Sequence, residues 1–374
     1  MPQISILLKP ASSSCNMRCL YCFYADVTKQ REIANYGMMS VDTVEVIIKK
    51  ALEFADGFAS FGFQGGEPTL AGLEFFETVV ALQKKYNRKG VKIHNALQTN
   101  GLKIDRAWAE FFKREGFLIG LSLDGNEAVH DRYRFDAAGN GSFERVLAAA
   151  KLMEECGVEF NILSTVNADV AKNADKIYHF FKKQGFSYLQ FIPCLDEFEN
   201  IAHNREYSLT PKAYGKFLCR LFDLWYADLF TAHPVSVRYF DNLLSMMLGY
   251  PPESCGMAGQ CTGYFMIESD GSVFPCDFYV TDEWYMGNIL HDDWDTLKDS
   301  ENAKRFLQVS KQVHPDCKVC RHYRICRGGC RRNREPISME FNGKNYFCSS
   351  FLQFFDNAYP KLLEAAKRIS NKRS

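Results

Sequence analysis

No charge of one sign prevails in this chain. Lys+Arg and Asp+Glu are both 45, so the formal net charge is zero. A nucleic-acid binder normally carries a basic excess to meet the phosphates, and neutrality argues against that class. Long apolar runs are missing too: no stretch reaches the roughly 20 residues that span a bilayer. No leader-like segment precedes the first strand-like run at 4–8. The expectation is a soluble, cytoplasmic protein that binds neither nucleic acid nor membrane. Histidine is sparse, eight in 374 residues, with no pair at metal-ligand spacing; His130 and His322 read as ordinary core or surface residues. The chain is long enough, and at 47% hydrophobic apolar enough, to bury a large core in two domains.

Cysteine, by contrast, is abundant. Fourteen cysteines in a chain with cytosolic marks point to metal or redox work, not to disulfides. Three are scattered, Cys156, Cys194 and Cys219, and read as small core hydrophobes. Three others, Cys15, Cys19 and Cys22, stand at i, i+4 and i+7 on a Pro- and Ser-rich loop after the first strand. Three thiolates can hold three corners of an iron–sulfur cube and leave one iron open to a small molecule, unlike the four thiolates of a closed cluster. The alternative is a zinc site, which usually takes four ligands as two close pairs; no fourth ligand is near.

Between residues 4 and about 195, short apolar runs alternate with amphipathic stretches. Strands are expected at 4–8, 59–63, 91–97, 117–121, 159–164 and 188–192, and helices near 41–56, 72–87, 105–115, 142–156 and 169–184. In the second helix Leu73, Phe76, Val80 and Tyr86 approximate one face. This alternation predicts an α/β fold: parallel strands with right-handed crossovers, closing only part of a TIM-like barrel, (β/α)6. Sites in such barrels lie at the C-terminal strand ends. There stand the cysteine loop, Gln64-Gly65-Gly66-Glu67-Pro68, Gln98-Thr99-Asn100-Gly101 and Ser122-Leu123-Asp124-Gly125. Residues 196–250 read as a connector, polar over 196–205 and helical over 211–230 and 239–248. The domain boundary falls between 1–235 and 236–374.

The remaining eight cysteines crowd the C-terminal part. Cys261 is followed after nine residues by Gly271 and after four more by Cys276. Then come Cys317, Cys320, Cys326 and Cys330, separated by two, five and three residues, and later Cys348; Cys255 is the eighth. Eight thiolates suffice for two fully ligated 4Fe–4S clusters, with a zinc ribbon as the structural alternative. Residues 266–274 read as a hairpin turning at Asp270-Gly271. Arg321, Arg324, Arg327, Arg331, Arg332 and Arg334 surround the cysteines and are expected to favour thiolates, unless they form a solvated basic face.

The spacing of Cys15, Cys19 and Cys22, followed by Phe23, resembles the signature of the radical S-adenosylmethionine (SAM) superfamily. The resemblance implies that the open iron chelates SAM and that its cleavage yields a 5′-deoxyadenosyl radical. Gly65-Gly66-Glu67-Pro68 matches the element that binds the SAM amino group at Gly66. By the same resemblance Ser122 and Arg134 contact SAM, Arg134 through its carboxylate, while Leu195 packs on the adenosine and Tyr21 meets the adenine. The C-terminal pattern matches the SPASM extension of these enzymes. That match implies a C-terminal domain carrying two auxiliary clusters: one held by Cys255, Cys261, Cys276 and Cys330, the other by Cys317, Cys320, Cys326 and Cys348.

Three motifs narrow the resemblance: the cysteine loop through Phe23-Tyr24, Phe63-Gln64-Gly65-Gly66-Glu67-Pro68-Thr69-Leu70-Ala71-Gly72-Leu73, and Pro275-Cys276-Asp277-Phe278-Tyr279. They are similar to those of anaerobic sulfatase-maturating enzymes, over about residues 4–360. This implies an oxidoreductase, expected to be cysteine-type, that converts an active-site cysteine of an unfolded or nascent sulfatase to Cα-formylglycine, with serine, or both, open as its substrate residue. It implies Asp277 as the base, Tyr24 and Gln64 as substrate contacts, three 4Fe–4S clusters and SAM as cofactors, and flavodoxin or ferredoxin as electron donor. Two alternatives stay open: a radical SAM/SPASM enzyme that forms thioether or other crosslinks in a small peptide, and a non-enzymatic zinc or electron-carrier protein, against which the open three-cysteine loop speaks.

Overall fold

A computed structural model describes residues 2–198, 203–335 and 343–373. Its strands are β1 (Ile4–Leu8), β2 (Phe58–Phe63), β3 (Lys92–Thr99), β4 (Leu118–Ser122), β5 (Phe160–Val166), β6 (Tyr188–Pro193), β7 (Ser236–Val237), β8 (Phe265–Ile267), β9 (Ser272–Phe274) and β10 (Gly287–Asn288). The first six lie where the apolar runs place them, shifted by no more than a few residues at either end.

By packing, the chain forms two compact units. The first holds residues 1–122, 134–160 and 263–307; the second holds 123–133, 161–262 and 308–374. This division follows contacts, whereas the 1–235 and 236–374 boundary follows cofactor motifs, and the two cut the chain differently.

In the first unit β1 pairs in parallel with β2, β2 with β3, and β3 with β4. On its other edge β1 pairs in parallel with β8, which turns back through β9 to β10. The hairpin read at 266–274 is thus present, with Gly271 at φ +88° in its turn, a conformation glycine adopts without steric cost. The crossover helices have legible starts. Ser40 caps Val41–Phe54 by accepting from the Thr43 amide, and Val44, Ile47, Ile48, Ala51 and Leu52 bury one stripe. Asp105 caps Arg106–Glu115 through the Trp108 amide. Helix Leu73–Tyr86 departs from expectation: Phe75, Phe76, Val79, Val80 and Leu82 are buried, while Leu73 and Tyr86 sit at the margin. The aromatic pair wins the core because Phe76 meets Phe63, Trp108 and Phe117 edge-on at 5.1–6.4 Å between centroids. Each such buried ring contributes roughly 1.5–3 kcal/mol over exposure.

The second unit carries β5, β6 and β7 in parallel. The helix expected over 169–184 is two, Ala168–Lys172 and Ala174–Lys183, broken at Asn173, whose amide side chain bonds the Asp169 carbonyl. Pro211–Asp228, capped by Thr210, packs on the 26-residue helix Cys348–Arg373. Tyr214, Phe222 and Trp225 enter that core, and Gly215 allows close approach to Ser350.

Candidate active site and thiol centres

Loop 9–22 leaves the C-terminal end of β1 and is fastened backbone to backbone. The Glu67 amide donates to the Ser14 carbonyl at 2.8 Å. Gly66 has φ +53°, and a Cβ there would stand 2.3 Å from the Ser14 carbonyl oxygen, so only glycine lets the two segments meet. The Glu67 carboxylate is buried and accepts four bonds, from the Thr69 amide and hydroxyl, the Thr99 hydroxyl and the Asn100 amide, at 2.7–3.1 Å. Burial nevertheless raises its pKa, because four donors do not fully replace water. Glu67 thereby ties together the ends of β2 and β3.

Within the loop, the Cys15 sulfur accepts from the Met17 amide at 3.4 Å and faces the Asn100 side-chain amide at 3.8 Å. Burial pushes the Cys15 thiol up to about 11, with Glu67 and Cys22 adding to it. Arg134, itself buried, directs Nη1 to the Cys19 sulfur at 3.9 Å and lies over the Tyr21 ring at 5.3 Å. Ser122 accepts from Gln98 Nε2 at 3.0 Å at the ends of β3 and β4. Tyr21, Gly66, Ser122 and Arg134 therefore belong to the first unit, whereas Leu195 belongs to the second, just past β6. There Leu195 lines a small cavity with Asp196, His203, Arg332 and Tyr346.

Asp277 follows the hairpin and opens a short 3₁₀ turn. It is buried, and both its oxygens are held. Oδ2 accepts from Gln64 Nε2 at 3.1 Å and from the Tyr24 hydroxyl at 3.4 Å. Oδ1 accepts from the Tyr264 hydroxyl at 3.1 Å and faces the Cys276 thiol at 3.6 Å. Burial raises its pKa; Tyr264 and the Lys9 ammonium oppose the rise. The partner set is phenols and an amide, not the arginine that a purely structural carboxylate would seek. Burial also drives the Tyr24 and Tyr264 phenols well up, and the nearby Asp277 charge adds to this.

Lys9, Arg31, Glu268 and Tyr264 were not singled out in the sequence, yet they surround Asp277 or its partners. Glu268 sits between Lys9 at 3.3 Å and Arg31 at 2.6 Å, all three side chains closed to solvent. Burial alone would raise the Glu268 carboxyl; the two cations outweigh it and hold it low. No sequence signal marks these residues beyond a charge set among apolar neighbours, Leu7-Leu8-Lys9 and Met266-Ile267-Glu268.

Among the described residues, no disulfide joins any of the fourteen cysteines. In the second unit Cys317, Cys320, Cys326 and Cys348 line one cavity of about 350 Å³ together with Phe351, Leu352 and Phe355. Cys255 and Cys330 are near one another, since a Cβ on Gly256 would lie 3.5 Å from Cys330 Cβ. Cys261 also feels the Cys330 thiol. Cys276, grouped with these three by resemblance, belongs to the first unit. The arginines divide: Arg321 and Arg324 are exposed, while Arg331 and Arg334 lower the Cys261 thiol as expected but are outweighed. Burial pushes Cys261 up to about 11 despite Arg331 and Arg334, and Cys326 up to about 12. Arg331, Arg332 and Arg334 are buried, not a solvated face, and Arg334 bonds the Ser310 and Gln312 carbonyls. Thiols buried in this way gain most from a bound metal, which removes the proton that burial retains. Among the described residues, no three Cys, His, Asp or Glu side chains converge on a point where a single metal ion would sit. A four-iron cluster needs no such convergence, because each thiolate meets a different iron. The donor set fits iron–sulfur clusters better than zinc.

The radical SAM superfamily profile matches residues 10–172, and an iron–sulfur cluster-binding domain, SPASM, matches residues 255–321. The cysteine-type anaerobic sulfatase-maturating enzyme of Clostridium perfringens is 47% identical over 369 residues, covering 99% of this chain and 100% of that protein. The serine-type enzyme of Bacteroides thetaiotaomicron is 30% identical over 386 residues, 99% of this chain and 92% of that protein. The solved structure of native anSMEcpe with bound AdoMet and Cp18Cys peptide superposes with a TM-score of 0.93 at 46% identity, covering 98% of this chain and all of that one. Streptococcus suis SuiB bound to precursor peptide SuiA, at 16% identity, TM-score 0.63 and coverage of 88% and 72%, shares the fold alone. The fold is accordingly the α/β partial barrel with an iron–sulfur domain that the alternation and the cysteine spacings imply. This chain belongs to the anaerobic sulfatase-maturating enzymes of the radical SAM superfamily.

Proposed function

We propose that this protein oxidises the active-site cysteine of an unfolded or nascent sulfatase polypeptide to Cα-formylglycine and so activates the sulfatase. One observation carries the reading: identity of 47% across 99% of the chain to cysteine-type enzymes, against 30% to a serine-type one. When bound, SAM and three 4Fe–4S clusters supply hydrogen-atom abstraction and electron uptake. Cys15, Cys19 and Cys22 would hold the cluster with an open iron. Cys255, Cys261, Cys276 and Cys330 would hold one closed cluster, and Cys317, Cys320, Cys326 and Cys348 the other. Tyr21, Gly66, Ser122, Arg134 and Leu195 would contact SAM.

The residues of the chain itself handle the proton and the peptide. Asp277 accepts the thiol proton at a carboxylate oxygen. Tyr24 and Gln64 hold that carboxylate and face the peptide, while Tyr264 fixes its other oxygen against rotation. The overall change is a two-electron oxidation of the side-chain carbon, after which water replaces the sulfur. A flavodoxin or ferredoxin would supply the reducing electron. Among the described residues, no helix is long and apolar enough to cross a membrane; cysteines in this number with no disulfide between them suit the reducing cytoplasm.

The test is anaerobic incubation of the reconstituted enzyme with paired sulfatase-derived peptides bearing Cys or Ser, with products read by mass. The Cys peptide should yield aldehyde much faster than the Ser peptide. No aldehyde from either overturns the assignment, and equal rates overturn the cysteine-type reading. In Asp277→Asn, formylglycine should fall by roughly 10²–10⁴-fold while 5′-deoxyadenosine still forms. Formylglycine at the unmodified rate in that variant would remove Asp277 as the base.

A further inference from the structure

Lys9 stands one residue beyond β1 and is almost wholly buried. Its ammonium lies 4.4 Å over the centroid of the Tyr24 ring and 3.3 Å from Glu268. The stem packs against the Gly65 backbone, filling the place a side chain there would take: a Cβ on Gly65 would stand 2.6 Å from Lys9 Cγ. Glu268, held also by Arg31, fixes the charged end. A cation seated over a ring face is attracted by the ring quadrupole, and more strongly where water is excluded. Fixing that face fixes the phenol oxygen, which reaches Asp277. The Lys9–Glu268–Arg31 set joins the residue after β1, the segment 23–36 and the hairpin, so it ties the Tyr24 segment to the Asp277 segment within one compact unit. None of its three members lies in a cofactor motif.

We propose that Lys9 is a positioning residue of the reaction: its ammonium, anchored on Glu268, holds the Tyr24 ring so that the hydroxyl stays on the Asp277 carboxylate. The proposal rests on the reading of Asp277 as proton acceptor. It acts through Tyr24 and touches neither peptide nor cofactor.

Two variants separate this role from general support. Lys9→Met leaves Arg31 paired with Glu268, and Arg31→Met leaves Lys9 paired with Glu268, so neither strands a buried charge. Arg31 additionally bonds the Ala34 carbonyl at 2.8 Å, so Arg31→Met loses more contacts yet none on Tyr24. In Lys9→Met the ratio of 5′-deoxyadenosine to formylglycine should rise about tenfold, the scale of a small misplacement of a reacting group. The loss should fall on kcat for formylglycine and leave the peptide KM unchanged. Arg31→Met should keep the unmodified ratio, and on a Tyr24→Phe background Lys9→Met should add far less than it does alone, the remainder being its direct charge effect on Asp277. Iron content and thermal midpoint establish that each variant is folded. If Lys9→Met does not retain its iron, Glu268→Asp, which draws the ammonium off the ring and keeps every charge, carries the same expectation. An unchanged ratio in the folded variant, or an equal rise in Arg31→Met, overturns the proposal. Asp277→Asn run in parallel separates the two readings. If it is impaired while Lys9→Met is not, only the Lys9 role falls; if it is unimpaired, the reading of Asp277 falls first.

Discussion

Around Cys15, Cys19 and Cys22 the neighbours are polar: Asn100, Asn16, Glu67 and Arg134, held by a web of hydrogen bonds to the ends of β2 and β3. Around Cys317, Cys320, Cys326 and Cys348 one side is apolar, Phe351, Leu352 and Phe355 on the first turns of a long helix, and the rest carries Asp316, Arg321, His322, Lys344 and Asn345. A polar rim with three thiols suits a small polar ligand. Four thiols on one cavity would ligate a cluster fully, and the apolar side they share is one of the levers on its potential. The difference lies between a site built to be opened and one built to be closed.

The largest break in this contrast is at the open site. Replacing Cys15, Cys19 and Cys22 together with Ala should abolish 5′-deoxyadenosine formation. Iron should fall from about twelve to about eight per chain, because the closed sites draw on no residue of that loop. Retained 5′-deoxyadenosine production, or loss of all iron, would erase the distinction. A smaller effect is expected at the polar rim. Glu67→Gln turns one acceptor of a four-donor cradle into a donor facing a donor. It should cost about 2–3 kcal/mol of stability, read as a lowered thermal midpoint of the reconstituted enzyme, with weaker SAM binding. An unchanged midpoint would mean that the rim does not depend on that carboxylate. The smallest effect is expected at Cys156, Cys194 and Cys219, which belong to neither centre. Each replaced by Ala should leave iron content unchanged and alter stability by no more than about 1 kcal/mol. Loss of one cluster's iron from any of the three would redraw the ligand sets.

The strands of the barrel and the hairpin were legible because their signals are local: apolar runs of five to seven residues, and Asp270-Gly271 at a turn. The helix over 73–86 was legible in extent but not in rotation, since Phe75 and Leu82 enter a core whose other rings come from Phe63, Trp108 and Phe117. Helix Cys348–Arg373, which contains Pro360, was not anticipated: its stability derives from packing on Pro211–Asp228, far away in sequence. At the site, cysteines and glycines announce themselves by spacing. Lys9 and Glu268 do not, because an ion pair between residues so far apart leaves no period to read. The arginine run was legible as charge, but not as charge outweighed by burial at Cys261.

Gly66 works as a gauge. The distance it enforces is measured to carbonyl oxygens of Ser14 and Ser12, 2.3 and 2.8 Å from where a Cβ would be. The height of the cysteine loop above the strand ends is thus set by main-chain atoms, which every residue supplies alike. The Ser14 side chain, which accepts from Asn35 Nδ2 at 3.0 Å, does not set that height, whereas a single added carbon at position 66 would lift the loop bodily. Tolerance and intolerance to mutation should therefore alternate across this contact: more permissive at Ser14, unforgiving on the glycine beneath it.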